Sequence, residues 1–240
     1  MSCAPEASLN PPTLSKTIVD KWDPEYRNFI LSLPKESLIP PHQIGWSEDL
    51  LTWVRGEGAK KLNLDKNRIA VGGYSSGGAL AAAVAQQTLL SDPPIKLVGQ
   101  AMFMPSLNLT SSYDPETWSP SMREYAKVPG LWTRDVLWAR DMHTPKKSDQ
   151  ANPIASPLVQ TRDDAFKAMA PTWIGVAEMD TLRSDGETYA KMLKNQGVQV
   201  ELKTYIGASH LTGVADGVCA LARRMQSDQI AFLHEVFQGN

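Results

Sequence analysis

The feature that most constrains the fold is a short turn, Gly73-Tyr74-Ser75-Ser76-Gly77, which stands between two different periodic patterns. Residues 68–73 form a short apolar run, which is typical of a buried strand. Residues 77–90 are rich in alanine and carry leucine and valine on one stripe, which predicts a helix. A serine flanked by glycines between a strand and a helix indicates a strained turn that lifts the serine hydroxyl above a sheet. The alternative is a glycine-rich turn that only allows close packing.

The same two kinds of pattern alternate along the rest of the chain. Strand patterns cover 29–33, 96–104, 172–176 and 198–205, and helix patterns cover about 46–54, 184–195 and 214–237. We expect Gly197 to end the second of these helices, and the third to break near Ser227. The third helix is also expected to present one apolar face, formed by Val218, Leu221, Met225, Phe232 and Val236. This alternation predicts an α/β fold with a mostly parallel sheet flanked by helices.

The length of 240 residues suits a single α/β domain with one hydrophobic core. Residues 1–28 mix proline, serine and charged residues with weak periodicity, so we expect a poorly ordered lead. Residues 105–162 contain scattered prolines and three tryptophans, Trp118, Trp132 and Trp138. We expect this segment to be partly irregular and to line a pocket, because aromatic walls suit apolar ligands. Packing of these tryptophans in the core is the alternative.

Composition argues against several classes of function. The chain has 24 Lys and Arg against 26 Asp and Glu, and its net charge of -2 provides no attraction to nucleic acid or to anionic membranes. The two cysteines, Cys3 and Cys219, are too few for a disulfide framework or a cysteine-rich metal site. Residues 1–12 lack the pattern of a secretory signal, and no run approaches the roughly 18 apolar residues of a membrane span. We therefore expect a reduced, cytoplasmic location.

A serine hydroxyl is a poor nucleophile at neutral pH unless a base lies within hydrogen-bond reach. Of the four histidines, His210 is the best placed, because it follows the last strand pattern and would lie over the serine turn at the carboxyl edge of the sheet. The others stand beside a proline pair, in the tryptophan-rich segment and in the last helix; they are His42, His143 and His234. The sequence therefore predicts Ser75 as nucleophile and His210 as base.

The base in turn needs a carboxylate that orients it. Asp180 follows the strand pattern at 172–176 closely, so its side chain can reach the same edge of the sheet. Glu178 and Asp185 are rivals, but Asp185 falls in the first turn of the next helix, where a negative charge favours the helix dipole without catalytic meaning. The order serine, aspartate, histidine is the one found with this kind of serine turn, and it differs from the two protease orders.

Three motifs carry a resemblance to a known family. They are residues 73–78, similar to Gly-Asp-Ser-Ala-Gly-Gly; residues 152–158, similar to Asn/Asp-Pro-x-Ala-Ser-Pro-Leu; and residues 180–185, similar to Asp-x-Leu-Arg-Asp. On these motifs, residues 29–240 resemble the carboxyl-terminal two thirds of the hormone-sensitive-lipase-like esterases. This branch of the α/β-hydrolases includes arylacetamide deacetylases and many microbial carboxylesterases. The resemblance implies the nucleophile, acid and base roles for Ser75, Asp180 and His210.

The chain departs from the family pattern in several places. Tyr74 and Ser76 replace the usual Asp and Ala, and Leu211 stands where the family usually has Gly after the histidine. We expect Leu211 to fill the pocket wall. The family also takes oxyanion donors from a His-Gly-Gly-Gly loop ahead of the serine, and no segment before Ser75 has that sequence. The backbone N–H of Ser76 is expected to supply one donor.

Three explanations stay open for the absent loop: a fragment of a longer protein, a shortened enzyme with a different oxyanion hole, or a fold reused without hydrolysis. The first hypothesis is a serine hydrolase that cleaves a small carboxylic ester or acetylated small molecule through an acyl-enzyme, with no metal or organic cofactor. The alternative is a non-hydrolytic small-molecule-binding or biosynthetic protein. A homodimer would cover a sheet edge that the absence of early strands exposes.

Overall fold

The computed structural model describes residues 24–25 and 54–239. The lead expected at 1–28 lies almost wholly outside the described residues, and so do the strand expected at 29–33 and all but the last residue of the helix expected at 46–54. The continuous description begins with a wide helical turn, Val54–Gly58, which leads into a short helix α1, Ala59–Leu62.

The described residues contain one sheet of four parallel strands. The strands are β1 (Ala70–Tyr74), β2 (Gly99–Phe103), β3 (Thr172–Met179) and β4 (Val200–Ser209), and they lie side by side in chain order. β3 is buried along nearly its whole length, as expected of a parallel strand covered on both faces. Because the strands are parallel, the residues that follow β1, β3 and β4 all lie at the same edge of the sheet.

Helices connect the strands and cover both faces of the sheet. They are α2 (Ser76–Leu90), α3 (Pro120–Glu124), α4 (Thr133–His143), α5 (Lys147–Gln150), α6 (Arg183–Asn195) and α7 (Ala220–Gln238). α2 and α6 pack around Ile174, whereas α7 packs around its neighbour Trp173, which points to the opposite face. The predicted α/β fold with a mostly parallel sheet is confirmed. None of the helices described is both long enough and apolar enough to cross a lipid bilayer.

The ends of several elements differ from the predicted ones. β3 runs to Met179 instead of ending at 176, and β4 runs to Ser209 instead of ending at 205. α6 ends as predicted, with Gly197 following at a φ of 79°. The predicted break near Ser227 is wrong, because α7 is continuous. The prediction that Val218 belongs to the apolar face of this helix is also wrong, because Val218 precedes α7 and is 51 % exposed. The other four residues of that face pack in one cluster.

Residues 105–162 are more helical than the sequence suggests. They contain α3, α4 and α5 together with two short 3-10 turns, Pro115–Thr117 and Pro157–Val159. The buried positions of α4 are Thr133, Leu137 and Arg140. Two of these three residues are polar, so the sequence of α4 lacks the apolar stripe by which a helix is usually recognised.

A change of register between β3 and β4 sets where the two strands end relative to each other. Ala177 pairs with Tyr205, and Met179 pairs with Ser209. β3 therefore advances two residues, from 177 to 179, while β4 advances four, from 205 to 209. Gly207 lies inside this irregular part of β4 with a φ of 78°, a left-handed conformation that disfavours a Cβ. As a result, the residues that directly follow the two strands come opposite each other.

Candidate active site

Ser75 lies at the turn between β1 and α2 with a φ of 56° and a ψ of -116°, a backbone conformation that residues other than glycine rarely adopt. Its N–H donates to the carbonyl of Phe103 over 2.8 Å, and its own carbonyl accepts from the N–H of Ser106 over 3.2 Å. Gly73 is required because a Cβ there would lie 2.2 Å from the backbone of Gly77. These contacts hold the Ser75 side chain at the carboxyl edge of the sheet.

His210 directly follows β4, and only 7 % of its side chain is exposed. Its Nε2 lies 3.0 Å from Oγ of Ser75, and its Nδ1 lies 2.8 Å from Oδ2 of Asp180. Asp180 directly follows β3, its side chain is fully buried, and its Oδ1 accepts from the N–H of Leu182 over 2.9 Å. The structure therefore brings the three residues singled out by the sequence into one hydrogen-bonded chain.

The hydrogen bonds assign the imidazole tautomer. An ionised carboxylate can only accept, so Nδ1 of His210 carries the ring proton and donates a hydrogen bond to Oδ2 of Asp180. Nε2 is then an acceptor for the hydroxyl proton of Ser75. The carboxylate of Asp180 holds the ring in place while Nε2 takes up a proton. The arrangement can remove a proton from Ser75.

Ser76 is the first residue of α2, so its backbone N–H has no carbonyl partner within the helix. α2 has 15 residues, and the amino end of such a helix carries a partial positive charge from its aligned peptide dipoles. A negative oxygen that develops next to the Ser75 hydroxyl would be stabilised by both features. The role of Ser76 as an oxyanion donor stays a prediction, which its position at the amino end of α2 supports.

The two rival acids form other hydrogen bonds. Oε2 of Glu178 accepts from the backbone N–H of Gly207 over 2.9 Å. Asp185 lies in the first turn of α6, as predicted, and its Oδ2 accepts from the N–H groups of Leu107 and Asn108 over 2.9 Å and 3.0 Å. Of the three acids, Asp180 is the one that binds the imidazole.

Asp185 has a structural role that the sequence did not reveal. Its burial raises the pKa of its carboxyl group to about 7; the nearby charge of Asp180 acts in the same direction, and the two N–H donors act against it. The loop that it binds, 105–108, also contains the Ser106 N–H that holds the carbonyl of Ser75. The two donors lie 78 and 77 residues away from Asp185 in the chain, so no local pattern could predict the contact.

A buried hydroxyl network joins α3 and α4 to the loop that follows Asp180. Oγ of Ser121 donates to the carbonyl of Thr181 over 2.8 Å and accepts from the N–H of Ser184 over 3.0 Å. The hydroxyl oxygens of Thr133 and Thr181 lie 2.6 Å apart. All four side chains are buried. Sequence reasoning missed this network because isolated Ser and Thr residues produce no periodic signal.

Leu211, which departs from the family pattern, packs against residues 105–162. A Cβ at Gly130 would lie 3.0 Å from Cγ of Leu211. Of the tryptophans in this segment, Trp118 donates from Nε1 to the carbonyl of Ser112 over 2.9 Å, and Trp138 is 47 % exposed. The turn after His210 therefore touches the tryptophan-rich segment, while the role of that segment as a pocket lining stays a prediction.

A cavity of about 400 Å³ lies at the opposite edge of the sheet. Its walls include Thr172, the first residue of β3, and Phe232 and Glu235 of α7. The residues predicted for the site do not line it. In the part of the chain that is described, no group of three His, Cys, Asp or Glu side chains could hold a metal ion.

Sequence comparison identifies relatives over much of the chain. Residues 41–213 match the model of a family described as alpha/beta hydrolase fold. The chain is 30 % identical over 187 residues to an AB hydrolase superfamily protein of Schizosaccharomyces pombe, covering 77 % of this chain and 52 % of the relative. It is 37 % identical over 154 residues to the carboxylesterase NlhH of Mycobacterium tuberculosis, covering 63 % of this chain and 45 % of that protein. The chain thus spans about half the length of the curated relatives it matches.

Solved structures agree with this assignment. An esterase from Rhizomucor miehei superposes with a TM-score of 0.70 at 26 % identity, covering 79 % of this chain and 57 % of the esterase. An esterase from Pyrobaculum calidifontis superposes with a TM-score of 0.68 at 28 % identity, covering 79 % of this chain and 58 % of that esterase. The carboxylesterase and esterases among these relatives confirm the resemblance expected from the three motifs. The family match over most of its length shows that this chain belongs to the α/β-hydrolase-fold family.

Proposed function

We propose that this protein is a serine hydrolase that cleaves a small carboxylic ester or an acetylated small molecule through an acyl-enzyme. The observation that carries the proposal is the hydrogen-bonded chain from Oγ of Ser75 through the imidazole of His210 to Asp180, at 3.0 Å and 2.8 Å. Relatives and structural neighbours named as carboxylesterases or esterases support the same class of reaction.

In the first half of the reaction, Ser75 takes up the acyl group. Nε2 of His210 removes the hydroxyl proton while Oγ forms a bond to the carbonyl carbon of the ester. The carbonyl electron pair moves onto its oxygen, so a tetrahedral intermediate with one negative oxygen forms. As the intermediate collapses, the bond to the alkoxy oxygen breaks and His210 gives its proton to the departing alcohol.

In the second half, water releases the acyl group. Nε2 of His210 takes a proton from the water as the water oxygen bonds to the acyl carbon. The second tetrahedral intermediate breaks its bond to Oγ of Ser75, which recovers the proton from His210 as the carboxylic acid leaves. Asp180 stays ionised throughout, holds Nδ1–H in place and stabilises the imidazolium in each half.

The negative oxygen of both intermediates requires donors, and removing one such donor typically lowers the rate by about 10²–10³-fold. The backbone N–H of Ser76, at the amino end of α2, supplies one donor in this proposal. The positive end of the helix dipole would stabilise the same negative charge.

A fluorophosphonate probe tests the proposal, because it reacts with activated serine nucleophiles and forms a stable adduct. We expect labelling of the wild-type protein at Ser75 and none of Ser75→Ala. The control is Ser148→Ala, which removes the hydroxyl of an exposed serine in α5 and should be labelled like the wild type. Folded wild-type protein that resists the probe would contradict the proposal and favour the non-hydrolytic binding protein.

Turnover of p-nitrophenyl acetate then separates hydrolysis from mere reactivity of the serine. We expect kcat to fall by about 10³-fold or more in His210→Ala, because a serine without its base loses most of its catalytic power. His234→Ala is the matched control, since this histidine is exposed on α7. Equal activity of the two variants would remove His210 from the mechanism.

The cytoplasmic location, the homodimer and the exclusion of nucleic-acid and membrane partners stay predictions from the sequence. Within the described sheet, β1 and β4 each pair on one side only, and an unpaired strand edge is a common surface for association. Analytical ultracentrifugation would decide between monomer and dimer.

A further inference from the structure

We infer that Tyr74 is a positioning residue for His210: its hydroxyl holds the backbone of the base in a fixed place relative to the adjacent nucleophile. The inference rests on the proposed function, in which His210 activates Ser75. Position 74 is also a departure from the family pattern, which usually has Asp there.

Tyr74 contacts His210 in two ways. It is the last residue of β1, directly before Ser75, and its hydroxyl donates a hydrogen bond to the backbone carbonyl of His210, 136 residues later in the chain. The centroids of the two rings lie 5.5 Å apart with an interplanar angle of 72°, a T-shaped arrangement that aromatic pairs favour. One side chain therefore binds the backbone of the base and packs on its ring.

This contact links the backbone of the base to the strand that carries the nucleophile. β1 and β4 are the outer strands of the described sheet, with β2 and β3 between them. Neighbouring strands lie about 4.8 Å apart, so the path through the sheet from β1 to β4 is roughly 14 Å long. Without Tyr74, the alignment of the two residues would depend on that path and on the hydrogen bonds of the reacting side chains themselves. The hydrogen bond from Tyr74 joins the two outer strand ends directly. Such precision matters, because a displacement of about 1 Å can lower a rate by about 10²-fold.

The tyrosine ring is held by the turn that it supports. Gly213 belongs to the turn Thr212–Val214, which follows the base, and a Cβ at Gly213 would lie 3.0 Å from Cε2 of Tyr74. The ring centroid of Phe103 also lies 6.0 Å away from that of Tyr74. An ionised Asp at position 74 could only accept hydrogen bonds and could not donate to a carbonyl. The contact therefore depends on the tyrosine of this chain.

Tyr74→Phe tests the inference, because it removes the hydroxyl and keeps the ring. We expect the rate constant of fluorophosphonate labelling at Ser75 to fall about tenfold, and kcat for p-nitrophenyl acetate to fall similarly with KM unchanged, since only the alignment of reacting groups is impaired. Tyr205→Phe is the matched control. Tyr205 is a buried tyrosine of β4 whose hydroxyl donates to Asp228 over 2.9 Å, so this variant should lose stability but keep the labelling rate.

A spectroscopic measurement makes the result independent of turnover. The downfield NMR resonance of the Nδ1 proton of His210 reports its hydrogen bond to Asp180, and we expect faster exchange and broadening in Tyr74→Phe but not in Tyr205→Phe. If the wild type resists the probe, the proposed function fails, and this resonance alone decides the role of Tyr74.

If Tyr74→Phe is labelled at the wild-type rate and its Nδ1 proton resonance is unchanged, the inference is overturned. If the wild type resists the probe, an unchanged resonance in Tyr74→Phe is sufficient to overturn it. If Tyr74→Phe does not fold, Gly213→Ala replaces it, because the added methyl group crowds the tyrosine ring and must shift it away from its place beside His210 by a few tenths of an ångström. If the Nδ1 proton resonance of His210 in Gly213→Ala has the same line width as in the wild type, the inference is overturned. A broadened resonance in this variant would support it.

Discussion

Glu178 of β3 accepts a hydrogen bond from the backbone N–H of Gly207 in β4 over 2.9 Å, at the place where the register between the two strands changes. The change shifts β4 so that Ser209 pairs with Met179. Without this change of register, Met179 would pair with Gly207. Asp180, the residue after β3, would then lie opposite residue 208, two residues before His210. The acid and the base thus meet because of an irregularity in the sheet.

Gly207→Ala should lower the free energy of unfolding by about 1–2 kcal/mol, because a Cβ is unfavourable at positive φ. Gly207 has a φ of 78°. We also expect a lower kcat, since relaxation of this part of β4 moves the histidine that follows it. Thermal unfolding and p-nitrophenyl acetate turnover measure the two effects. Gly217→Ala is the control, because a Cβ at Gly217 meets no atom within 4 Å, and equal stability of the two variants would contradict the prediction.

Asp180→Asn should keep the fold and lower kcat by about 10³–10⁴-fold. The amide of Asn can donate to Nδ1 of His210, which moves the ring proton to Nε2 and removes the acceptor for Ser75. Steady-state kinetics and urea denaturation test the two parts of the prediction. Asp149→Asn, at an exposed carboxylate of α5, should match the wild type. Retention of a tenth of the activity in Asp180→Asn would mean that another group orients the base.

The raised pKa of Asp185 predicts a pH-dependent stability. The pKa is about 7 in the folded protein against an ordinary value of 3.8, so the folded state binds an extra proton between these values. The free energy of unfolding should therefore fall as the pH rises from about 4 to about 7. Asp185→Asn cannot titrate at this position. Relative to this variant, the free energy of unfolding of the wild type should fall by up to about 4 kcal/mol across this window, since each unit of pKa difference contributes about 1.4 kcal/mol.

Urea denaturation of both proteins at about pH 4.5 and about pH 7.5 measures this difference. Asp149→Asn should follow the wild-type pH dependence, because the carboxylate of Asp149 is exposed. A constant difference between the wild type and Asp185→Asn at the two pH values would show that burial does not raise this pKa.

Ser121→Ala should destabilise the protein by about 1–3 kcal/mol, because it leaves the N–H of Ser184 without its acceptor. The serine hydroxyl bridges this N–H and the carbonyl of Thr181 in a fully buried site. Thermal unfolding measures the loss, and Ser148→Ala at the surface should stay within about 0.5 kcal/mol of the wild type. If both variants melt together, the network makes no net contribution to stability.

Local sequence patterns were sufficient to predict the main parts of the fold and of the candidate site. The strand before Ser75 and the helix after it differ in period, and glycines stand between them, so the turn could be recognised from neighbouring residues. Asp180 and His210 could be placed because parallel strands end at a common edge of the sheet. This placement required only the approximate carboxyl ends of the strands. The observed ends of β3 and β4 lie three and four residues beyond the predicted ones, an error that does not change the edge at which the two side chains lie.

The features that were missed depend on residues far apart in the chain. The register change between β3 and β4, the hydrogen bonds of Asp185 and the contact of Tyr74 with His210 each join different elements. A single sequence holds no pattern for such contacts. The helix α4 was missed for a different reason: it buries a threonine and an arginine, so its buried face lacks an apolar stripe.

The chain order of the strands has a consequence for synthesis on the ribosome. Each strand of the described sheet after β1 pairs with the one made just before it, and His210 comes 135 residues after Ser75 and 30 after Asp180. Because a growing chain can fold from its amino end, the serine turn and the aspartate strand can form while the histidine is still to be translated. In the proposed mechanism, Ser75 then gains its reactivity only when β4 joins the sheet and His210 follows it, so a stalled nascent chain that ends before residue 210 would carry an inert serine.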